Sequence, residues 1–306
     1  MHRLQAFFAR VMHYLASHKK ARIAACVLAA FLAVILALSI LLHPRGTKNF
    51  LILGMDNYGS LDDTGRSDVT ILVQVDFTRT RISAVTFARD MFIEGENGRL
   101  SKINTIVRSK DEQSLCEAIE RSFGIPIDGW VRLNFTSVIE LVDAIGGAEV
   151  ELTQAEVGYL NNKAGYYPDY PLAEGKSRLN GAQALAYARC RQLDNDFGRG
   201  ERQSKLLAAM VKQTKKITAK NIVDIFNTLK HAWRSSLSGA EQVQLLTQAL
   251  WLRGAEVQRI SAPFEGYWHY GEVKGGVSGV VADLDANRRL LLDALGMKDP
   301  RPAQTP

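Results

Sequence analysis

The sequence predicts an α/β fold in which helices cover both faces of a mixed central sheet, preceded by one transmembrane helix. Three features indicate it. A run near the N-terminus is apolar and uncharged, short apolar runs at 49–53, 69–77 and 81–87 are typical of strands, and helical periodicity dominates the later segments. At 306 residues, 46% hydrophobic and 23% charged, the chain is long enough for one globular domain beside the apolar run.

The apolar run at 23–42 contains no charged residue and is long enough to cross the ~30 Å hydrocarbon core of a bilayer. It is preceded by basic residues and by no acidic one: Arg3, Arg10, Lys19, Lys20 and Arg22. This charge excess predicts a cytoplasmic N-terminus and an extracellular chain from about Arg45 onward, in a single-pass protein of the cell membrane. A cleaved signal peptide and a buried core helix are the alternatives. The run is longer than the ~7–15 apolar residues of a signal peptide, and no A-x-A site follows it.

The formal net charge of +6 belongs to the N-terminal segment. Seven of the 38 basic residues and none of the 32 acidic residues precede Asp56, so the remaining chain is close to neutral. Such a surface argues against nucleic acid as a partner. The histidines show no zinc-ligand spacing. Cys116 and Cys190 both lie in the predicted extracellular part, where a disulfide between them is one possibility that the sequence leaves open.

The predicted elements follow in order along the chain. The run 49–53 ends at Gly54 as a buried strand, and the strands 69–77 and 81–87 form a hairpin around Thr78-Arg79-Thr80. Helices are predicted at 111–121 and at 135–145, the second stopped by Gly146-Gly147, and a short strand at 148–152. Residues 153–178 are rich in Tyr, Gly, Pro and Asn and predict an irregular insertion. The last predicted elements are helices at 180–187, 201–216, 221–233, 241–252 and 286–295, and a strand at 257–261.

Two acidic residues adjoin neighbouring predicted strands. Asp56 follows the strand 49–53, and Asp68 directly precedes the strand 69–77. Open α/β sheets place ligands at the carboxyl ends of their strands, and two carboxylates at one sheet edge can hold a hard divalent cation. The alternative is that either aspartate caps a turn.

Arginines are concentrated near the predicted strand and helix ends. Arg89 ends the strand 81–87, and four more arginines occur within fourteen residues: Arg189, Arg191, Arg199 and Arg202. A guanidinium group suits two phosphate oxygens, so this density predicts a diphosphate site. The alternatives are a surface residue at Arg89 and a solvated loop of alternating charge at 189–203.

Seven segments of the chain form an ordered set over 49–210, with a vaguer continuation to Leu295. They are N-F-L-I-L-G-M-D, G-R-S-D, the Arg-Asp pair after a strand, I-D-G-W-V, A-I-G-G-A-E-V, L-N-G-A-Q-A-L-A-Y-A-R-C-R and D-F-G-R-G-E-R-Q. Taken in this order, they resemble the LytR-CpsA-Psr family of cell-wall phosphotransferases. The resemblance implies an apolar tunnel for a polyprenyl chain and a charged mouth for its diphosphate. Together with the charge pattern, it predicts the domains: a cytoplasmic basic tail at 1–22, the anchor at 23–42, a linker at 43–48, the catalytic domain at 49–298 and a tail at 299–306.

By motif position, the resemblance assigns roles to individual residues. Asp56 and Asp68 match the carboxylates beside a magnesium ion. The phosphate-contacting positions are Arg89, Arg189, Arg191 and Arg199, with Asp196 and Gln203 as the acidic and amide positions beside them. Asp68, Arg89 and Asp196 are the expected catalytic residues. Arg202 matches the motif less well.

The sequence departs from the family pattern at two places. Ala88 stands where the family usually has proline, which predicts a looser turn at Arg89. The family's glycine-rich stretch is missing after Lys102-Ile103-Asn104, where Thr105-Ile106-Val107-Arg108 follows instead.

The implied reaction moves a lipid-linked glycopolymer, such as teichoic acid or capsule, onto peptidoglycan and releases polyprenyl phosphate. Positioning and charge neutralisation dominate such phosphoryl transfers. Two alternatives remain open from the sequence: a hydrolase that uses water as the acceptor, and a non-catalytic regulator of the cell envelope. The general base is unassigned, with Asp196 and one of Asp56 or Asp68 as candidates.

Overall fold

The computed structural model describes residues 44–58, 60–61, 66–109, 111–162, 171–190, 192–193, 196–213, 226, 230–252, 255–273 and 276–300. Its strands are β1 Thr47–Met55, β2 Ser67–Asp76, β3 Arg81–Phe87, β4 Phe92–Glu94, β5 Leu100–Lys102, β6 Gly129–Leu133, β7 Ala148–Leu152, β8 Gly175–Leu179, β9 Arg234–Ser235, β10 Glu256–Ala262, β11 Trp268–Val273 and β12 Val277–Ala282. Its α-helices are α1 Ile103–Ser109, α2 Glu112–Phe123, α3 Phe135–Ala144, α4 Gln154–Asn162, α5 Gly181–Arg189, α6 Asp196–Gln213, α7 Gly239–Ala249 and α8 Leu284–Leu295.

Six strands form a mixed central sheet in the order β10-β3-β2-β1-β6-β9. The pairs β1–β2, β2–β3 and β6–β9 are antiparallel, whereas β1–β6 and β3–β10 are parallel. Parallel neighbours require crossover connections, and the segments between them carry helices. The predicted α/β class with a mixed central sheet is confirmed.

Helices cover both faces of the sheet because the strand side chains alternate between two apolar layers. Leu51 and Leu53 of β1 belong to the core under α2 and α8, together with Leu115 and Leu291. Phe50, the residue before Leu51, points to the opposite face and packs against Val75, Phe77, Ile82 and Leu252. A further core on that side joins α3, α5 and α6 through Val142, Tyr187 and Leu206.

The pairing register brings the C-terminal ends of several strands together at one edge of the sheet. Gly54 at the end of β1 lies opposite Leu133 at the end of β6, and Phe87 at the end of β3 lies opposite Ala262 at the end of β10. The β1–β2 ladder pairs Gly54 with Val69 but Met55 with Ser67, so Asp68 is the extra residue of a bulge. Both predicted carboxylates are therefore placed at this edge.

The interpretation of 153–178 as an irregular insertion was wrong at 154–162, which form a helix, and at 175–178, which form a strand, whereas 163–170 lie outside the described residues. Helix α4 begins after Thr153, whose backbone N–H donates to Glu156 Oε2 at 2.9 Å, and β8 pairs with β7 along its whole length. Lys176 and Arg178 of β8 are exposed, so this surface strand has no buried apolar run that would mark it in a sequence rich in Tyr, Gly, Pro and Asn. Helix α6 begins at Asp196, five residues before the predicted start. The predicted helix 221–233 does not extend to Trp233, because 230–232 form a turn and a bend before β9.

Several predicted features lie outside the described residues: the tail at 1–22, the anchor at 23–42, Arg191, most of the helix at 221–233 and the end of the C-terminal tail. Within the part that the structure describes, no helix combines the length and apolarity needed to cross a membrane. Cys116 and Cys190 are both buried and both are free thiols, so the suggested disulfide is absent.

Candidate active site

A cavity of about 570 Å³ lies between the sheet and the helices α3, α5 and α6. Its inner lining is mostly aliphatic and aromatic: Ile52, Met55, Val69, Ile71, Val131, Leu133, Phe135, Val138, Leu141, Leu185, Leu206, Leu207 and Met210. These side chains come from both β-strands and helices, so the cavity is a gap in the core between two layers. An apolar cavity of this size is suited to a long hydrophobic ligand.

Charged and amide side chains share the lining of this cavity: Asp56, Asp68, Arg189, Arg199 and Gln203. They come from the end of β1, the β1–β2 bulge, the last turn of α5 and the first turns of α6. The fold thus brings together five of the predicted site residues that are separated by up to 147 positions in the sequence. The polar groups lie at the sheet edge and the apolar groups beneath it.

Arg89 faces Asp68 directly. Its Nη1 lies 3.2 Å from Asp68 Oδ1 and 3.3 Å from Oδ2. Both side chains are mostly buried, at 24% and 16% exposure. Arg89 lines a second cavity of about 20 Å³, which shares Asp68, Arg199 and Gln203 with the large one. Arg89 is therefore beside the charged end of the large cavity, separated from it by the Asp68 carboxylate.

The turn that carries Arg89 is held by three distant backbone contacts. Ala88 N–H donates to Ala262 O at 2.8 Å, Asn104 N–H donates to Arg89 O at 3.1 Å, and Val280 N–H donates to Asp90 O at 3.0 Å. The expectation of a looser turn at Ala88 was wrong, because the amide that a proline would lack donates to β10. The Lys-Ile-Asn element contributes as well, since Asn104 Nδ2 donates to Asp90 Oδ1 at 3.1 Å.

Helix α5 presents Arg189 at the cavity. The helix begins with a capping box between Asn180 and Gln183. Gly181 allows a close approach to α3, because a Cβ there would overlap the backbone of Ile139. Arg189 is the last residue of the helix, where a cation is favoured by the helix dipole.

The Arg189 guanidinium contacts two groups that belong to other elements. Its carbon Cζ lies 3.9 Å from the centre of the Phe135 ring, and its Nη2 lies 3.6 Å from Asp56 Oδ1. Tyr58 packs edge-on against the same ring, with 4.9 Å between ring centroids. Phe135 was not predicted as a site residue. Its only sequence signal is its position directly after Asn134 at a strand end.

Buried polar contacts fix the end of α5 to α6. Arg202 Nη2 donates to Cys190 O at 2.7 Å, and Arg202 Nη1 lies 4.0 Å from Glu156 Oε1. Gln203 Nε2 donates to Ala188 O at 3.3 Å. Arg202 is 3% exposed and does not line the large cavity. Its weaker match to the motif therefore corresponds to a supporting position behind Arg189.

The remaining predicted site residues are placed only in part. Arg199 is buried, at 5% exposure, and lines both cavities. Asp196 is the first residue of α6, at the same end of the helix as Arg199. Arg191 lies outside the described residues. Across the described part of the chain, no group of three or more His, Cys, Asp or Glu side chains is placed to hold a metal ion.

The arrangement is suited to binding an anionic group attached to an apolar chain. Two carboxylates each face an arginine, so a bound diphosphate can take over the arginine contacts and leave the carboxylates for a cation. Asp56 and Asp68 supply hard oxygen donors, which fit magnesium, and this ion commonly takes few ligands from the protein.

Comparison with known proteins gives a consistent result. The family model LytR_cpsA_psr matches residues 13–283. The polyisoprenyl-teichoic acid–peptidoglycan teichoic acid transferase TagU of Enterococcus faecalis is 31% identical over 204 residues, which are 64% of each chain. TagV of Bacillus subtilis, with the corresponding name, is 29% identical over 187 residues, which are 58% of this chain and 46% of TagV. The match thus spans less than two thirds of these relatives.

Solved structures share the fold. TagT bound to LIIa-WTA superposes with a TM-score of 0.66 at 22% identity, covering 82% of this chain and 91% of TagT. Bacillus subtilis TagV gives a TM-score of 0.66 at 22% identity, covering 83% of this chain and 99% of that chain. The family match covers most of the chain, including every segment that builds the charged end of the cavity. The chain therefore belongs to the LytR_cpsA_psr family.

Proposed function

We propose that this chain is a phosphotransferase that moves a glycopolymer, of the teichoic acid or capsule class, from polyprenyl diphosphate to peptidoglycan. The observation that carries the proposal is that one cavity combines an aliphatic interior with an arginine- and aspartate-lined end. The relatives named as teichoic acid transferases supply the reaction class. Polyprenyl phosphate is the second product.

The polyprenyl chain occupies the apolar part of the cavity. Leu206, Leu207 and Met210 of α6 face Ile52 and Ile71 of the sheet across it. Burying isoprenoid surface there contributes ~25 cal/mol per Å² removed from water. Such binding is insensitive to the identity of the sugar, so it anchors the donor while the polar end determines the chemistry.

The diphosphate is held by Arg89, Arg189, Arg191 and Arg199. Arg189 and Arg199 line the large cavity, and Arg89 is beside it. An acceptor hydroxyl oxygen forms a bond to the sugar-proximal phosphorus, and the bond from that phosphorus to the bridging oxygen breaks. The bridging oxygen departs on polyprenyl phosphate with its electron pair, and the arginines stabilise the charge that develops.

Magnesium is the proposed cofactor, with Asp56 and Asp68 as its protein ligands. When bound, it supplies charge neutralisation at the phosphate oxygens. The contacts of Asp56 with Arg189 and of Asp68 with Arg89 keep both carboxylates oriented toward the cavity before substrate binds. Gln203, held by Ala188 O, offers its amide to a phosphate oxygen at the same end.

The acceptor hydroxyl must lose a proton to a base. Asp196, at the start of α6, and one of Asp56 or Asp68 are the candidates. The Asp56 side chain is 49% exposed, whereas Asp68 is 16% exposed and faces Arg89 at 3.2 Å. Asp56 is thus the more accessible of the two carboxylates to an incoming acceptor.

The proposed location is the cell membrane, with a single anchor at 23–42, a cytoplasmic N-terminus and an extracellular catalytic domain. The support is the uncharged run and its basic flank. Protease added to intact protoplasts should digest the domain while leaving cytoplasmic markers intact. Complete protection of the domain in protoplasts, with digestion after lysis, would contradict this location.

The activity test uses purified protein with a lipid-linked glycopolymer, magnesium and peptidoglycan. We expect polyprenyl phosphate and glycan attached to peptidoglycan to appear together. Release of polyprenyl phosphate at the same rate without peptidoglycan would support hydrolysis instead. The absence of any product, with the donor still bound, would support a non-catalytic role in the envelope.

A further inference from the structure

A second large pocket, about 410 Å³ in volume, is not used by the proposed reaction. We define it as the side pocket. Its lining is Tyr58, Ser60, Leu61, Asn134, Thr136, Ser137, Glu140, His231, Ala232, Trp233 and Arg234. These residues come from the segment after β1, from the cap and first turns of α3, and from the segment that leads into and begins β9.

The side pocket adjoins the charged end of the cavity. Asn134 and Trp233 line both spaces. Asn134 follows Leu133, which pairs with Gly54 two residues before Asp56. Tyr58, on the side-pocket wall, packs against the Phe135 ring on which Arg189 lies. A group attached to a phosphate at Arg189 and Asp56 therefore has direct access to the side pocket.

The lining of the side pocket differs from that of the cavity beneath it. Hydroxyl, carboxylate, imidazole and guanidinium groups dominate: Ser60, Thr136, Glu140, His231 and Arg234. His231 Nε2 lies 3.4 Å from Glu140 Oε2, and the Trp233 indole donates to Gln242 Oε1 at 3.0 Å. Aliphatic groups are scarce among the described lining residues, so an isoprenoid chain is poorly suited to this space.

The chemistry of the lining matches a sugar. A pyranose ring presents several hydroxyl groups that both donate and accept, and one apolar face of C–H groups. Glu140 accepts, Arg234 donates, and the hydroxyl of Thr136 does both. The Tyr58 side chain is exposed, and its ring, like that of Trp233, offers an apolar surface for a sugar face. A volume of this size lies within the usual range of small-ligand sites.

We propose that the side pocket binds one or two pyranose residues of the glycan next to the reacting phosphate. This inference rests on the proposed function, because it takes its position from a diphosphate bound at Arg189 and Asp56. The sugar can belong to the donor, attached to the reacting phosphorus, or to the acceptor that attacks it. Both present the same chemistry to Glu140, Thr136 and Arg234.

The test is a kinetic comparison of Glu140→Ala and Thr136→Val with wild type. Donor concentration is varied at saturating peptidoglycan, and peptidoglycan concentration is varied at saturating donor. We expect KM to rise about tenfold for one substrate. A higher KM for peptidoglycan assigns the pocket to the acceptor, and a higher KM for the donor assigns it to the donor glycan. Unchanged KM values for both substrates overturn the proposal.

A binding measurement separates the pocket from the lipid and phosphate site. Geranylgeranyl diphosphate, which carries no sugar, should bind the two variants and wild type with equal affinity. Weaker binding of this probe by the variants would overturn the assignment to sugar. Glu151→Ala, on the exposed side of β7, is the matched control and should leave both kinetic constants unchanged.

Failure of the proposed function is distinguishable from failure of this inference. If wild type transfers no glycan, sugar binding is measured by tryptophan fluorescence in two titrations. One uses soluble peptidoglycan disaccharide fragments, and the other uses the sugar-phosphate portion of the donor. A saturable change with either probe that is lost in Trp233→Phe and weakened in Glu140→Ala sustains the sugar site without the reaction. If neither probe gives a saturable change, although the protein binds geranylgeranyl diphosphate, the sugar-site proposal is overturned.

Discussion

The Arg189 guanidinium lies over the ring of Phe135, with Cζ 3.9 Å from the ring centre, and its Nη2 is 3.6 Å from Asp56 Oδ1. The ring and the carboxylate thus contact the guanidinium from two different elements and favour its position at the cavity. Contact with an aromatic face is worth ~0.5–1 kcal/mol at exposed sites. The value for catalysis lies in the orientation, because a planar fork held in place can contact two phosphate oxygens at once.

Arg189→Ala should reduce glycan transfer about ten- to a hundredfold, because one charge-assisted bond contributes ~1.5–3 kcal/mol and ~1.4 kcal/mol is a factor of ten. Arg189→Lys should recover little, since an ammonium group cannot form the two-pronged contact. The measurement is release of polyprenyl phosphate from a purified donor. Arg178→Ala is the control, because Arg178 is exposed on β8, where its Nη1 donates to Gly146 O. A normal rate in Arg189→Ala with a reduced rate in Arg178→Ala would refute the assignment.

Asp68→Asn should lower transfer strongly and leave the fold intact. The amide keeps the size of the carboxylate at the β1–β2 bulge but removes the charge that faces Arg89 and the proposed cation. Magnesium titration of the rate should show a higher half-saturating concentration in the variant. EDTA should abolish the wild-type activity, and added magnesium should restore it. Full activity in EDTA would exclude a metal-assisted step.

Leu207→Trp should narrow the apolar cavity, because Leu207 lines it from α6 and the indole ring is larger than the side chain it replaces. We expect weaker binding of long polyprenyl diphosphates and little change for short ones. Affinity is measured for donors of increasing isoprenoid length. Leu100→Trp is the matched control at an exposed position of β5. Equal losses for short and long donors would indicate that the variant disturbs the charged end instead.

Arg202 should affect activity indirectly, because it holds the backbone that positions Arg189. It donates to Cys190 O at 2.7 Å, one residue after Arg189, and is 3% exposed. Arg202→Gln should lower the free energy of unfolding by ~1.5–3 kcal/mol, the usual cost of losing a charged hydrogen bond. In the folded variant we expect kcat to fall while KM for the donor changes little. Urea unfolding and steady-state kinetics measure the two effects, and a stable variant with normal kcat would exclude a positioning role.

Cys116 gives the protein a defined response to alkaline pH. Burial, and then the neighbouring Glu120 carboxylate, raise the pKa of this thiol from an ordinary 9.0 to about 12. A pKa raised by folding contributes stability that is complete below pH 9 and is lost as the pH rises toward 12. Urea unfolding should therefore show declining stability above pH 9. The decline should be smaller in Cys116→Val, and an equal decline would show that other groups cause it.

Much of the sheet and its helices was predictable from sequence because the strands alternate between two apolar layers and the helices carry clear caps. Asn134 and Asn180, for example, each cap a helix near its predicted start. The segment 153–178 was not predictable in this way, because β8 pairs with only one strand and presents lysine and arginine outward. A two-stranded sheet on the surface leaves no buried run in the sequence.

Some residues of the candidate site were likewise predictable from the sequence, whereas others were recognisable only in the structure. Residues in charged motifs, such as Asp56, Asp68 and Arg199, stand out in the sequence, and the fold places them on one cavity. Phe135 and Tyr58 carry no such mark, because an aromatic residue beside an arginine is a property of the assembled structure. The distinction between Arg202, which is behind the site, and Arg199, which lines it, depends on their positions around α6. The sequence does not show these positions, because they depend on how α5 packs against α6.

The backbone contacts of the Arg89 turn determine when the site can form during synthesis. Two of them come from Ala262 and Val280, far along the chain from Ala88. A nascent chain that has emerged only through α6 already contains every charged residue of the site, but it lacks the strand that receives the Ala88 amide. Arg89 therefore reaches its final position only after β10 and β12 have been synthesised, have crossed the membrane to the proposed extracellular location and have docked. Premature termination after α6 should thus yield a protein that keeps the whole motif and has no working site.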